Sequence, residues 1–560
     1  MKKNEQSQKT IIKGAMILSA SVLITKIISI LYRVPVTNAL GDIGNGIYSV
    51  AYQVYVLLIT VTSIGLPSAI SKLVSERAAV GDYREAHHVY RVAMRYAVVL
   101  ATVLSVLLWF GAEQAANFFK VPAALWPIRA LVPAIIIVSI MAVMKGYFQG
   151  LQSMTPTAVS QVVEQVIHAI ISIGLAYGLL KFGVEAAVVG STLGVVGGVL
   201  AGLLTLVFVY YLIRPLIKKR IDRSPSSEKP QSDRTILKGI LITSIPIMLS
   251  ASVFSVMTTI DYRMIADKLP ETIEKMRTLQ LVHLLPVNTA ILDDTQTVVD
   301  SLVGIFSFKY MTLLNLPVSL ILTLGMAVTP AVAASMAQKD YKEVRSKIRM
   351  VLKIGMLFAA PAALGLMLFG KEIIAFLLPK EPYGGELLAA GGIAIVFITL
   401  AQLTAGILQG LGRQHIPTVN AVIACSIKVI LNAVLLTIPQ VHVYAVIHTT
   451  TLCYIIYAFL NIKAMLHLIK MKLDYRALFI KPLMIAGIMG IMAKGLYIGL
   501  VKLVDYPSVW LVVSILFAII IYGILGLTTG TIDERDLMNL PGGTKLTRFL
   551  GSFRKKYLHQ

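Results

Sequence analysis

One stretch near the start of the chain limits everything else. Residues 11–40 read IIKGAMILSASVLITKIISILYRVPVTNAL, an apolar run long enough to cross a bilayer, and it carries two cations, Lys26 and Arg33. Seven residues apart, they fall on one face of a helix, ~10 Å apart along its axis. A charge in hydrocarbon costs about 2.5–3.5 kcal/mol even on the most lenient insertion scale. A helix bearing two on one face must turn that face toward protein or water. The expectation is a cavity lining that attracts an anion.

Such runs recur along the whole chain. Of 560 residues, 57% are hydrophobic and 14% charged. That balance excludes a soluble globular protein of this length and implies an all-α polytopic membrane protein. About fourteen spans are expected, at 11–36, 46–71, 92–112, 124–150, 156–180, 186–213, 235–266, 302–335, 350–370, 385–411, 417–439, 442–466, 478–501 and 508–529. The first reads as an uncleaved span, being too long for a signal-peptide core.

Lys and Arg number 51 against 28 Asp and Glu. In a soluble chain this excess would suggest nucleic acid. Here the positive-inside rule accounts for it, and no nucleic-acid partner is expected. With fourteen spans, the loops opposite the N-terminus hold just eight of the 51: Lys120, Lys181, Lys268, Lys275, Arg277, Lys371, Lys380 and Lys502. Both termini are therefore expected in the cytoplasm. Cys425 and Cys453 lie in apolar runs and imply neither disulfide nor metal. No metal or cofactor is expected.

The chain is also an internal duplication. GIYSVAY at 46–52 recurs as GIFSFKY at 304–310, Tyr32-Arg33 as Tyr262-Arg263, and GYFQGLQSMTPT at 146–157 as GILQGLGRQHIPT at 406–418. The offset rises from 230 to 258 between the first two matches, which places an insertion of 28 residues in the polar segment 267–301. Both repeats start on the same side, so the expected axis runs along the membrane normal. The domain plan is an N-lobe at 1–213, a linker at 214–234, a C-lobe at 235–466 with an external insertion at 267–301, two further spans within 467–529, and a basic tail at 530–560. The GxxQG segments are expected to serve close helix packing.

Among the cations that fall within spans are Lys26, Arg33, Arg129, Arg263, Lys309, Lys428 and Lys494. Two acids, Glu164 and Asp261, lie well inside. A pathway for cations should be acidic, so this sign points to an anion. Lys26, Arg33, Arg263 and Lys309 lie on repeat-equivalent helices and are the candidate substrate-binding set. Asp261 and Arg263 are two residues apart, on different faces, so Asp261 is expected to pair elsewhere. Glu164, Asp261, Lys428 and Asn432 are candidate coupling or switch residues, the last two one turn apart. Arg129 beside Trp126 reads as an interface anchor. No catalytic constellation and no Walker-type GK[ST] sequence is present, so neither an enzyme nor ATP hydrolysis is expected.

Fourteen spans, two six-helix repeats and the strings GLPSAISKLVSERAAVGDY, KGYFQGLQSMTPTAVSQVVEQ and ILQGLGRQHIPT resemble the stage V sporulation protein B group of polysaccharide-biosynthesis membrane proteins. That group belongs to the multidrug/oligosaccharidyl-lipid/polysaccharide exporter superfamily and is similar to MurJ-type lipid II flippases. The resemblance covers essentially the whole chain. It implies alternating access of two lobes, a cationic cavity for a polyprenyl-pyrophosphate-linked saccharide, and a groove by the last two helices for its lipid tail. Lys26 matches a cavity arginine of MurJ-type proteins and Arg33 a second. Gly46 and Ile59 stand where those proteins can carry an acid and an arginine. Some have a sodium site; Asp261 and Asn432 match parts of it, but Leu436 stands where a second acid would fall and Lys428 is nearby.

The resemblance implies a flippase, with lipid II as the expected substrate and membrane lipids and cell-wall synthesis enzymes as expected partners. A carrier of teichoic-acid, capsule or exopolysaccharide precursors, a multidrug/cation antiporter, and a non-transporting cell-wall scaffold are the alternatives.

Overall fold

The computed structural model describes residues 2–224, 231–319 and 340–531, with isolated positions between 320 and 339, and side chains from Ala20 onward. The second half of the expected span at 302–335, part of the linker and the basic tail fall outside the described residues. Among those described the fold is helical throughout, with no strand.

Among the described residues, eleven helices are long and apolar enough to cross a membrane, and two bent pairs, if each is one span, bring the number to 13. The first of the eleven, Ala20–Ala79, runs 60 residues and is broken at Gly41. Read as two crossings, it yields the fourteen spans expected. The break has a local cause. Gly41 takes φ +64°, a conformation that costs other residues steric strain. Carbonyls freed at the break need donors, and the Asn45 side-chain amide supplies them, bonding the carbonyls of Gly41 at 2.6 Å and Thr37 at 3.3 Å.

The helices are α1 (Lys2–Ile59), α2 (Leu66–Ala79), α3 (Tyr83–Phe118), α4 (Leu125–Gly150), α5 (Thr155–Leu179), α6 (Val184–Asp222), α7 (Asp233–Thr278) and α8 (Thr295–Gly304). After them come α9 (Tyr341–Leu377), α10 (Gly385–Gly391), α11 (Ala394–Gly410), α12 (His415–Leu435), α13 (Tyr444–Ile469), α14 (Lys481–Leu503) and α15 (Pro507–Thr528). Three wider π turns interrupt the pattern, at Thr60–Ile64, Ile305–Met311 and Arg476–Ile480.

By contacts the chain divides into two compact units. One comprises Met1–Thr312, Leu377–Gly384 and Ala421–Thr449; the other comprises Leu313–Phe376, Gly385–Asn420 and Thr450–Gln560. In the first, Leu66, Ile70 and Val74 of α2 pack with Val89 of α3, Val143 and Tyr147 of α4, and Ile236 and Ile240 of α7. The GYFQG segment behaves as its composition suggests: side chains at Gly146 and Gly150 would collide with Pro67 and Val74 of α2. A stripe of α6 glycines seats α5 in the same way, with Gly198 against His168 and Gly202 against Glu164. In the second unit, Phe369 of α9, Ala493 of α14 and Leu511 of α15 form a small buried cluster.

The polar segment 267–301 contains the end of α7, two short 3-10 turns at Val282–Leu284 and Thr289–Ile291, and most of α8. Arg277 fastens it, donating to Glu274, to the Thr295 hydroxyl at 2.6 Å and to the Leu292 carbonyl at 2.6 Å.

Candidate functional site

Most of the candidate residues sit in four polar clusters among the described residues of the first unit. The first is where α1, past its break, meets α8 and the π turn. Lys309 is 1% exposed, and its ammonium lies 2.7 and 2.9 Å from the two oxygens of Asp42. It also donates to the carbonyls of Glu381 at 2.7 Å and Tyr383 at 3.0 Å. All three ammonium protons thus have acceptors, as burial of a charge requires. Two turns along α1 from Asp42, the Ser49 and Ser307 hydroxyls are 2.5 Å apart. Arg33 is half-buried, bonds the Thr312 hydroxyl and lies 5.0 Å over the Phe308 ring. Tyr48 meets Phe308 edge-on at 5.2 Å and stacks with Tyr52 at 5.8 Å.

The second cluster lies between α7, α12 and α13. The Lys428 ammonium donates to Asp261 at 2.5 Å, and the Asn432 amide donates to the other carboxylate oxygen at 2.9 Å. Thr449 donates to the Asn432 carbonyl oxygen at 2.5 Å. Lys428 and Asp261 are each almost fully buried. The turn between these two helices holds His442, buried with its Nδ1 unbonded among the described residues. Burial pushes that imidazole down to about 4.

At the third, Glu164 of α5 accepts from Lys145 of α4 at 3.3 Å, and His168, one turn on, faces Tyr32 at 4.8 Å between ring centres. At the fourth, Arg263 donates to the Phe118 carbonyl at 2.5 Å and pairs with Asp267 at 3.5 Å, which Lys120 also engages at 2.9 Å.

The four cations expected to bind substrate therefore differ in their surroundings. Lys26 is exposed and has no hydrogen bond or ion pair among the described residues. Arg33 lies two turns along the same helix, bonds the Thr312 hydroxyl and is not paired to a carboxylate among the described residues. Lys309 and Arg263 do not join them as open cations; each is matched to a carboxylate, Asp42 and Asp267. Asp261 faces α12 while Arg263 faces α3, as their two-residue spacing dictates. Arg129 lies over the rings of Trp126 at 5.2 Å and Trp109 at 5.6 Å, which suits an anchor at a membrane boundary. In the second unit Lys494 pairs with Glu372 at 2.6 Å and bonds the Leu368 carbonyl.

Asp42 escaped the sequence reading because it sits among the turn residues of VPVTNALGDIGNG. Its signal was its solitude, as it is the one acid between Glu5 and Glu76. Among the described residues, no cluster of three or more His, Cys, Asp or Glu could hold a metal ion.

Comparison with known proteins places this geometry. The family described as "Polysaccharide biosynthesis protein" matches residues 11–336, and the MatE family matches 309–434. Lipid II flippase MurJ of Bacillus subtilis (strain 168) is 25% identical over 471 residues, 81% of this chain and 82% of that protein. Stage V sporulation protein B of the same organism is 35% identical over 157 residues, 28% of this chain and 30% of that one. Among solved structures, an inward-closed lipid II flippase MurJ aligns with a TM-score of 0.60 at 15% identity, covering 92% of this chain and all of that one. An inward-facing multidrug resistance MATE transporter of the MOP superfamily aligns at 0.61 and 14% identity, covering 81% and 98%. These last two show a shared fold. With more than half its length matched, this multi-pass membrane protein belongs to the polysaccharide biosynthesis protein family.

Proposed function

We propose that this protein is a flippase for a lipid-linked oligosaccharide, most specifically lipid II, in the bacterial cytoplasmic membrane. The observation that carries the reading is the pair Lys26 and Arg33, two cations on one face of a membrane-spanning helix in a chain whose MurJ relative matches it over four-fifths of its length. A pyrophosphate linked to a sugar is an anion that a guanidinium and an ammonium hold by charge-assisted hydrogen bonds, each worth about 1.5–3 kcal/mol. Arg33 contributes a planar fork backed by Phe308, while Lys26 contributes a mobile point charge. The head group enters from the cytoplasmic side, where the termini and the cation-rich loops lie by the positive-inside rule. Arg263 and Lys309 join the binding set once Asp267 and Asp42 have released them. The polyprenyl tail stays in lipid, and both lobes move to expose the head group outside.

Head-group translocation in proteoliposomes tests this. Lipid II is offered beside a teichoic-acid precursor to wild type and to Lys26→Ala and Arg33→Ala. Lipid II flipping that falls about 10- to 100-fold in each variant is expected, that being the loss of one charge-assisted bond. Undiminished flipping in the double variant would remove the cavity role. Transport of the teichoic-acid precursor alone would keep the flippase and replace its substrate.

A further inference from the structure

The 258-residue offset relates Asp42, Gly46 and Ser49 to Asp300, Gly304 and Ser307. In the fold these two triplets face each other. Ser49 touches Ser307, its own equivalent. A side chain on Gly46 would collide with the Asp300 carbonyl, and one on Gly304 with the Asp42 carbonyl. Equivalent atoms thus meet equivalent atoms, and a local two-fold axis passes between the two serine hydroxyls. The glycines allow two backbones to cross at contact distance, as at small-residue crossings in membranes.

Two residues beyond the serines the symmetry ends. Position 309 is lysine, whereas its equivalent, position 51, is a buried alanine. Residues 305–311 are also wound as a π turn, whereas 46–52 are α-helical. The wider turn redirects Lys309 across the crossing to Asp42. Asp300 is the symmetry mate of Asp42, yet it is bonded by Gln296 of its own helix, at 2.9 Å. Of two equivalent carboxylates, one ties the crossing together and the other does not.

We infer that this crossing is a pivot and that Asp42–Lys309 is a one-sided latch holding α1, just past its break at Gly41, shut against α8 and the π turn that follows it. Lys309 is the anchored half, because the carbonyls of Glu381 and Tyr383 hold its ammonium independently of Asp42. Asp42 is the moving half. It borders a cavity of about 310 Å³ lined also by Asn38, Ser301, Lys380 and Glu381. Water entering there solvates the carboxylate as it leaves, which lowers the cost of parting a buried pair. The latch rests on the transport reading only for its purpose; its existence can be tested without any substrate.

The test uses the full chain in membranes, with Cys425 and Cys453 replaced by alanine and cysteines placed as Ser49→Cys and Ser307→Cys. Disulfide formation under a mild oxidant reports the shut crossing, and lipid II flipping is followed in the same vesicles. Rapid cross-linking that stops flipping, reversed by reductant, is expected. Asp42→Asn and Lys309→Met each slow cross-linking at least threefold, whereas Asp300→Asn and Lys309→Arg leave its rate unchanged. Failure of the parent to cross-link, or equal rates in Asp42→Asn, Lys309→Met and Asp300→Asn, would overturn the latch. A cross-linked protein that still flips lipid II at the reduced rate would do so too. A parent that cross-links but flips nothing even when reduced counts against the lipid II reading and leaves the latch to be judged by the cross-linking rates.

Discussion

Asp42–Lys309 and Asp261–Lys428 are the same chemistry in opposite surroundings. Both are Asp–Lys pairs with side chains no more than 5% exposed. The second is completed by side chains: Asn432 fills the other carboxylate oxygen and Thr449 holds Asn432, so three helices converge on one charge pair. The first is completed by main-chain carbonyls on the lysine side, and its aspartate borders a cavity. Burying an ion costs several kcal/mol, and a pair repays this only while every polar atom is satisfied. The Asp261 pair is satisfied by helices and stays closed. The Asp42 pair has somewhere for its carboxylate to go. On the latch inferred above, the groups around the pair, not the pair itself, decide whether a buried salt bridge fastens a structure or releases it.

This contrast can be broken most forcefully at Lys428. Lys428→Met strands a buried carboxylate and should cost about 3–5 kcal/mol, read as a fall in melting temperature in detergent. Adding Asp261→Leu should recover most of it, since an apolar pair of similar volume replaces the ionic one. If the single variant melts like wild type, the closed pair carries no strain of burial and the comparison fails.

Acid offers a second lever, through His442 in the turn joining α12 to α13. Its imidazole titrates at about 4 in the fold against about 6.5 in the unfolded chain. The unfolded state therefore takes up the proton first as pH falls. The stabilisation is complete above pH 6.5 and drains away toward pH 4, up to about 3 kcal/mol in all. His442→Phe should flatten the melting temperature across that window. A slope unchanged by the substitution would place the acid sensitivity elsewhere.

The smallest effect is expected at the open pair. Lys309→Met should cost about 1–3 kcal/mol, less than Lys428→Met, because the orphaned Asp42 can recruit water from its cavity. Equal losses at the two lysines would erase the distinction drawn between them.

Much of this was legible beforehand. Span length and apolar composition give the crossings, because a bilayer imposes both on any helix that enters it. The segments GIYSVAY and GIFSFKY, matched in sequence, also meet in the fold, at Ser49 and Ser307. Lys428 and Asn432, one turn apart, do converge on a single partner. What stayed hidden was partnership. Lys309 meets Asp42 across 267 residues of chain, and no window of local hydropathy spans that distance. The π turn at Ile305–Met311 was equally silent, since its sequence aligns without a gap to an α-helical segment. Lys494 gave no hint of Glu372 for the same reason.

The lysine that replaces alanine at position 309 has one more consequence. Two halves related by exchange have no reason to prefer either resting position; each is the mirror in time of the other. A single fastening on one side removes that indifference. Every 1.4 kcal/mol it contributes multiplies the waiting population of one posture by about ten. On the latch inferred above, the direction of rest is set at a place where two matched segments of the chain differ.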